Sequence, residues 1–328
     1  MKDKDNSKVL KDAIVDVAGI KVGHSQDLKA GTGCTVVICE KGATTGVDVR
    51  GGASGTRETD LLNPVNLVDK AHAIYLGGGS AFGLDGASGV MKYLEEKGIG
   101  FDVVLTKVPI VPGAVLFDLG VGDYRVRPDA RMGYDACLNA SDAEVSQGNV
   151  GAGTGATVGK IFGGLHCMKS GLGTASFKSQ ELIIGAIVAV NCFGDVVDPE
   201  SGEIIAGVLS EDKKEFANTM SFLRNFPQRS GSNFSKNTTI GAVATNAKLT
   251  KAGATKVAMM AQDGYARTIS PAHTIFDGDT IFCMATGEVE TGVNVVGAIA
   301  TEVMARAIVK AIKNARSLFK LKSYKDLF

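Results

Sequence analysis

The chain has 328 residues in which 35 Lys plus Arg balance 35 Asp plus Glu, so no net field draws it to nucleic acid or to an anionic membrane surface. A small or neutral ligand is the expected kind of partner. Glycine fills 42 positions, tryptophan none, and the glycines are interleaved without period among Val, Ile, Ala and Leu runs, which excludes a disordered chain or a repeat array and implies a globular α/β protein.

The opening stretch, MKDKDNSKVLKDAIVDV, is charged throughout, and no later apolar run approaches the ~20 residues of a membrane span. A cytoplasmic location without membrane contact is the expectation. Cys34, Cys39, Cys137, Cys167, Cys192 and Cys283 are scattered without a CxxC pair, and His24, His72, His166 and His273 share no ligand spacing. Reduced, buried thiols with no metal and no cofactor follow.

In chain order, a β-branched run at 35–38 predicts a first strand and 73–76 a second. The second leads into Gly77-Gly78-Gly79-Ser80-Ala81-Phe82-Gly83, a strand-to-helix turn that either faces a substrate or is merely tight. A helix is predicted over 87–97 and a strand over 103–105. At 151–160, GAGTGATVGK invites a phosphate-loop reading that the spacing refuses, because Ile161 stands where Ser or Thr should follow the Gly-Lys pair. A close-packed glycine turn presenting Lys160 is the better account, and near carboxylates Lys160 would serve as a charge partner.

The apolar run at 184–190 predicts a strand ending on Asn191, whose amide either forms a turn or points into a pocket as an oxyanion donor. A polar segment at 223–236, LRNFPQRSGSNFSK, reads as an exposed connector. It delivers Asn237-Thr238-Thr239-Ile240 at the start of an apolar run. Cleavage before Thr238 would give that residue a free amine of pKa roughly 7.7 to 8.0, a base for its own weakly nucleophilic hydroxyl. An Asn-Thr pair at a strand start is more often a simple turn. A helix is predicted over 250–262, followed by His273-Thr274-Ile275-Phe276-Asp277-Gly278-Asp279-Thr280, in which two carboxylates flank one glycine. Such a pair either orients a nucleophile or closes a turn. A strand at 281–284 and an amphipathic helix at 295–312 complete the chain.

Taken together, these segments resemble the L-aminopeptidase/D-esterase (DmpA-like) family of self-processing peptidases, and within it the nylon-oligomer hydrolases. The likeness runs from DVAGIKVGH at 16–24 through DVRGG at 48–52, the turn after Leu76, Asn237-Thr238-Thr239-Ile240 and Asp277-Gly278-Asp279-Thr280 to GAIATEVM at 297–304. It implies one catalytic domain over 1–328, an αββα sandwich of the DmpA and ornithine acetyltransferase type, similar to N-terminal-nucleophile hydrolases. Self-cleavage into 1–237 and 238–328 and assembly of processed protomers into a homo-oligomer, a tetramer, are further implications. Thr238 takes the nucleophile's position, Asp277 and Asp279 those of the residues that orient it, and Lys160 and Asn191 those of a network lysine and an oxyanion-binding amide. Gly78, Phe117 and His273 fall at the substrate pocket. Phe117 replaces a tyrosine of relatives, which removes one oxyanion donor, and Val115 stands where aminopeptidases carry an acid for the substrate's amine.

The expected activity is hydrolysis of short peptides or linear aliphatic amides, such as 6-aminohexanoate oligomers, through an acyl-Thr238 ester. Aminopeptidase action and acyl transfer are the enzymatic alternatives, and an unprocessed small-molecule binding protein is the alternative without chemistry.

Overall fold

The computed structural model describes residues 10–226 and 237–328. Among the described residues the largest feature is a mixed nine-stranded sheet. Its order is β10 (Leu172–Ser179), β11 (Leu182–Ala189), β14 (Ile240–Ala247), β16 (Thr280–Val289), β2 (Thr32–Val49), β4 (Lys70–Gly77), β7 (Gly113–Val115) and β3 (Thr56–Arg57), with β1 (Lys21–Asp27) also paired to β2. β2 joins two halves: its first part pairs with β1 and β4, its last part with β16, and the register shifts between Ile38 and Ala43. Smaller sheets are formed by β5 (Phe101–Asp102) with β6 (Lys107–Val108), β8 (Thr157–Val158) with β9 (Met168–Lys169), and β12 (Asp195–Val197) with β13 (Ile204–Ala206) and β15 (Ile269–Ser270).

Strand side chains alternate between two faces, and here both faces are apolar. Ala186, Val188, Val243, Ile281 and Cys283 pack against α4 (Lys251–Thr268) and α5 (Val293–Asn314) through Ala258, Ala261, Ala300 and Met304. Their neighbours Ile187, Ala189, Ala242, Ala244, Phe282 and Met284 point the other way, into a cluster with Val37, Ile74, Leu76 and Ala114. On the far side of β2 and β4, Cys34, Val36, Ile38, Ala73 and Tyr75 meet Ala87, Val90 and Leu94 of α1 (Gly86–Glu96) and Ala136 and Cys137 of α2 (Ala130–Leu138). The layers therefore run helix, sheet, sheet, helix, the αββα order expected. All six cysteines are free and buried. Among the described residues no helix is long and apolar enough to cross a membrane.

The expected strand at 103–105 is absent. Val104 and Leu105 are each 95% exposed at the tip of the β5–β6 hairpin, where Val104 has φ of +72° and its N–H donates to Asp102 Oδ1 at 2.7 Å. Three apolar residues cannot hold a strand against such local turn chemistry when no layer covers them. The connector at 223–236 is divided: its first residues end α3 (Thr219–Asn225), and 227–236 lie outside the described residues.

Candidate active site

Asn237, Thr238 and Thr239 lead into β14, which runs parallel to β16 with Ile240 opposite Thr280. That register places Asn237 opposite Asp277 as an isolated parallel bridge. Asn237 N–H donates to Phe276 O at 2.8 Å, and Asn237 O accepts from Gly278 N–H at 2.9 Å. All three residues are buried, Thr238 at 3% exposure. Its N–H donates to Asn191 O at 3.0 Å and its hydroxyl donates to the Asn237 carbonyl oxygen, so the Oγ atom sits beside the peptide bond it would attack.

Asp279 and Asp277 follow from the same register. Asp279 Oδ1 accepts from Thr239 N–H at 2.8 Å, and its Oδ2 accepts from His273 N–H at 3.1 Å and contacts His273 Nδ1 at 2.8 Å. His273, expected in the substrate pocket, is thus a partner of Asp279, its ring stacked 6.2 Å from that of Tyr265. Asp277 Oδ1 accepts from Phe193 N–H at 3.1 Å and its Oδ2 from Thr274 N–H at 3.1 Å and the Thr274 hydroxyl. Burial, and then the adjacent Asp279 carboxylate, push the Asp277 carboxyl up to about 6.

Asn191 lies two residues beyond the end of β11 and is fully buried. Its Oδ1 accepts from Lys160 Nζ at 2.7 Å and Thr157 N–H at 3.0 Å, and its Nδ2 donates to Phe117 O at 3.0 Å. These donors on the oxygen, with the Thr157 hydroxyl a longer third at 3.4 Å, fix the amide's orientation, so that its Nδ2 is the donor end. Lys160 Nζ also donates to Asn191 O at 3.1 Å, the same carbonyl that receives Thr238 N–H. Burial pushes the Lys160 ammonium down to about 8, while Cys167, Cys192 and the carboxylates of Asp277 and Asp118 oppose the shift. Among the described residues Lys160 forms no ion pair with either Asp277 or Asp279, and Asp277 acts on it only through space. Phe117 contributes its carbonyl to this network.

Gly78 acts at one remove. A Cβ there would lie 2.0 Å from Asp118 Oδ2, so the missing side chain makes room for a buried carboxylate. Asp118 accepts from the Thr32 hydroxyl at 2.7 Å and Gly79 N–H at 2.7 Å, and burial pushes it up to about 6. Sequence reasoning passed over Asp118, although it stands directly after Phe117. It also passed over Lys169, which is fully buried, donates to Gly153 O and Ala156 O at 3.0 Å each and to Ser170 O, and is pushed down by burial to about 7. Those bonds hold the 151–156 turn from which Thr157 reaches Asn191. A cavity of about 380 Å³ opens beside the network, lined by Phe117, Asp118, Thr157, Lys160 and more distant apolar residues.

This geometry places a hydroxyl against a peptide carbonyl that already has a backbone donor, with an amide donor, a lysine of depressed pKa and two aspartates around it. A sequence profile of peptidase family S58 matches residues 12–324. An uncharacterised aminopeptidase of Mycobacterium leprae is 43% identical, the alignment covering 96% of this chain and 94% of that protein. A 6-aminohexanoate-oligomer endohydrolase of a Kocuria strain is 30% identical over 91% of this chain and 85% of its own. Among solved structures, a β-aminopeptidase from Burkholderia has a TM-score of 0.69 at 21% identity, covering 93% of this chain and 87% of that one. The L-aminopeptidase D-Ala-esterase/amidase of Ochrobactrum anthropi, described as a variant of the Ntn-hydrolase fold, has a TM-score of 0.70 at 16% identity, with 93% and 86% covered.

Proposed function

The chain belongs to peptidase family S58 and is a hydrolase of amide or peptide bonds; we propose that Thr238 is its nucleophile, released as a new N-terminus when the chain cuts itself after Asn237. The observation that carries this reading is the Thr238 hydroxyl on the Asn237 carbonyl, with Gly278 N–H donating to that same oxygen. Attack by Oγ on the Asn237 carbonyl carbon would place negative charge on an oxygen that already has a donor. Collapse breaks the Asn237–Thr238 C–N bond, the proton moves to the departing Thr238 nitrogen, and an ester links Asn237 to Oγ. Water then hydrolyses the ester, leaving a carboxylate on Asn237 and a free amine on Thr238.

In turnover that amine, of pKa roughly 7.7 to 8.0, takes the Oγ proton as the oxygen attacks a substrate carbonyl. The remaining Asn191 Nδ2 hydrogen stabilises the oxyanion, a contribution of about 2.7 to 4 kcal/mol where such donors have been removed. The leaving amine is protonated, and water releases the acid from acyl-Thr238. Asp279, bonded to Thr239 N–H, and Asp277, bridged to Asn237 ahead of β16, fix the nucleophile's backbone, and Lys160 holds the Asn191 amide in place. Short peptides and linear aliphatic amides, including 6-aminohexanoate oligomers, are the proposed substrates, supported by the relatives that share the sequence. Cut or uncut, 1–328 acts as one catalytic unit, and a homo-oligomer of such units is the proposed assembly.

Thr238→Ala tests the assignment. The variant is expected to remain at full length and to have no measurable amidase activity, whereas Thr238→Ser keeps both cleavage and turnover; amide hydrolysis by a folded Thr238→Ala protein would remove Thr238 from the mechanism.

A further inference from the structure

The glycine turn at 151–156, whose sequence invites a phosphate-loop reading, is built the other way round. A phosphate loop turns backbone N–H groups inward on an anion; here carbonyl oxygens converge on a cation. Lys169 Nζ donates to Gly153 O and Ala156 O at 3.0 Å each and to Ser170 O. Lys169 is fully buried, and burial works against its charge, but three acceptors with no donor among them engage all three hydrogens of an ammonium. The N–H groups of the turn are held by other strands: Gly151 N–H donates to Gln26 Oε1 at 3.0 Å and Ala152 N–H to the Thr35 hydroxyl oxygen at 3.1 Å. Two of the glycines are demanded by close approach. A Cβ on Gly153 would lie 2.3 Å from Leu172 N, and one on Gly155 would lie 2.1 Å from Gly31 O and 2.6 Å from Asp118 Cβ.

The outlet of the turn is Thr157. β8 pairs with β9 so that Thr157 stands opposite Lys169, and Thr157 N–H donates to Asn191 Oδ1 at 3.0 Å. The Ala156 carbonyl and the Thr157 N–H belong to one planar peptide group. Lys169 Nζ and Ser170 N–H, each at 3.0 Å, hold that group at its oxygen, and its N–H end meets the Asn191 amide. A cation on the carbonyl fixes the plane and polarises the peptide, which strengthens the bond its N–H donates. We propose that Lys169 is a positioning residue for amide hydrolysis: by holding the Ala156–Thr157 peptide at its oxygen, it aims the N–H that sets the Asn191 amide. The inference rests on the reading of Asn191 as oxyanion donor and adds to it a residue that acts through Asn191 and not on the substrate.

The test is a double-mutant cycle on whichever short peptide or 6-aminohexanoate oligomer the wild type hydrolyses fastest, with kcat referred to the protein that is folded and cleaved. Lys169→Met is expected to lower kcat by about 100-fold at unchanged KM, as a misplaced catalytic group does. Asn191→Ala lowers it by about 100- to 1000-fold, and adding Lys169→Met to Asn191→Ala changes it by no more than about twofold. Losses that multiply to within about twofold, or a loss carried by KM, overturn the proposal. Should Lys169→Met not fold, Gln26→Leu enters the same cycle, since it loosens the turn at Gly151 N–H from an exposed position; multiplying losses overturn the proposal there too. If the wild type hydrolyses no amide, or Asn191→Ala leaves kcat unchanged, the reading of the site fails separately and hydrogen exchange decides the grip on the peptide. The Thr157 amide is then expected to exchange about tenfold faster in the Lys169 or Gln26 variant, the equivalent of one hydrogen bond, while the amides shared by β10 and β11 keep their protection. Equal protection of Thr157 in variant and wild type overturns the proposal.

Discussion

Lys160 carries its charge into a fully enclosed place, and the cost of doing so has a measurable sign. Its folded-state pKa of about 8 lies below the unfolded value of roughly 10.4, because burial penalises the ammonium. Between those two values the unfolded chain holds a proton that the folded chain has released, so stability from this group rises as pH climbs through that window. Urea unfolding at pH 7.5 and 10 is expected to show a smaller gain for Lys160→Met than for the wild type; an identical gain would mean that Lys160 is solvated. Thr238, Asn191, Lys160, Asp277 and Asp279 were singled out through the family resemblance, since Thr238, Asn191 and the two aspartates each read by themselves as turn residues, while Asp118 and Lys169 were passed over. Thr238, Asp277 and Asp279 precede apolar strands and Asn191 follows one, whereas Lys160 leaves a glycine turn. Asp118 finds Thr32 across 86 positions, and Lys169 bonds only to backbone carbonyls, which leave no side-chain signature. His273 was placed near the site, but its pairing with Asp279 depends on how the turn at 273–279 folds back, which residue spacing does not specify.

Among the elements, strands buried on both faces were read from continuous apolar runs, and helices from their period, with boundaries that moved by a few residues except in the first strand, expected at 35–38 and observed over Thr32–Val49. α4 starts where Thr250 caps it, its side chain accepting from Gly253 N–H at 3.1 Å, and continues to Thr268, six residues beyond the expected end. The extension is packed rather than patterned, since Gly264 and Thr268 face the interior although neither is strongly apolar. Glycine content, visible from the outset, is explained by approach distances. A Cβ on Gly46 in β2 would lie 2.2 Å from Thr255 N of α4, a clash with backbone that no side-chain rotation relieves. Gly46→Ala is therefore expected to destabilise by more than about 2 kcal/mol, within the range of overpacked cores, and thermal unfolding that matches the wild type would contradict the close packing of α4 on β2. Thr250→Ala is expected to cost about 1 kcal/mol, the usual loss for a threonine cap. The 103–105 hairpin tip shows the limit of pattern reading: its residues are strand formers, but only a covering layer would make them a strand.

Across the whole molecule, cleavage after Asn237 would not divide the protein into two bodies. Residues 238–328 contain β14 and β16, which lie between β11 and β2 in the sheet, together with α4 and α5, which cover one face of it. Separating the pieces would break the ladders to β11 and β2 and expose the cores on both faces of the sheet. The two are expected to elute together from a sizing column in native buffer and apart in guanidinium; separation under native conditions would contradict this interleaving.

The central claim is that the chain cuts itself to free Thr238. Its most direct test is the intact mass of freshly purified protein under denaturing conditions, followed over days and combined with N-terminal sequencing of the smaller species. Two fragments, the smaller beginning at Thr238, are the predicted result. A single chain of full length that persists while the protein hydrolyses amides would contradict it.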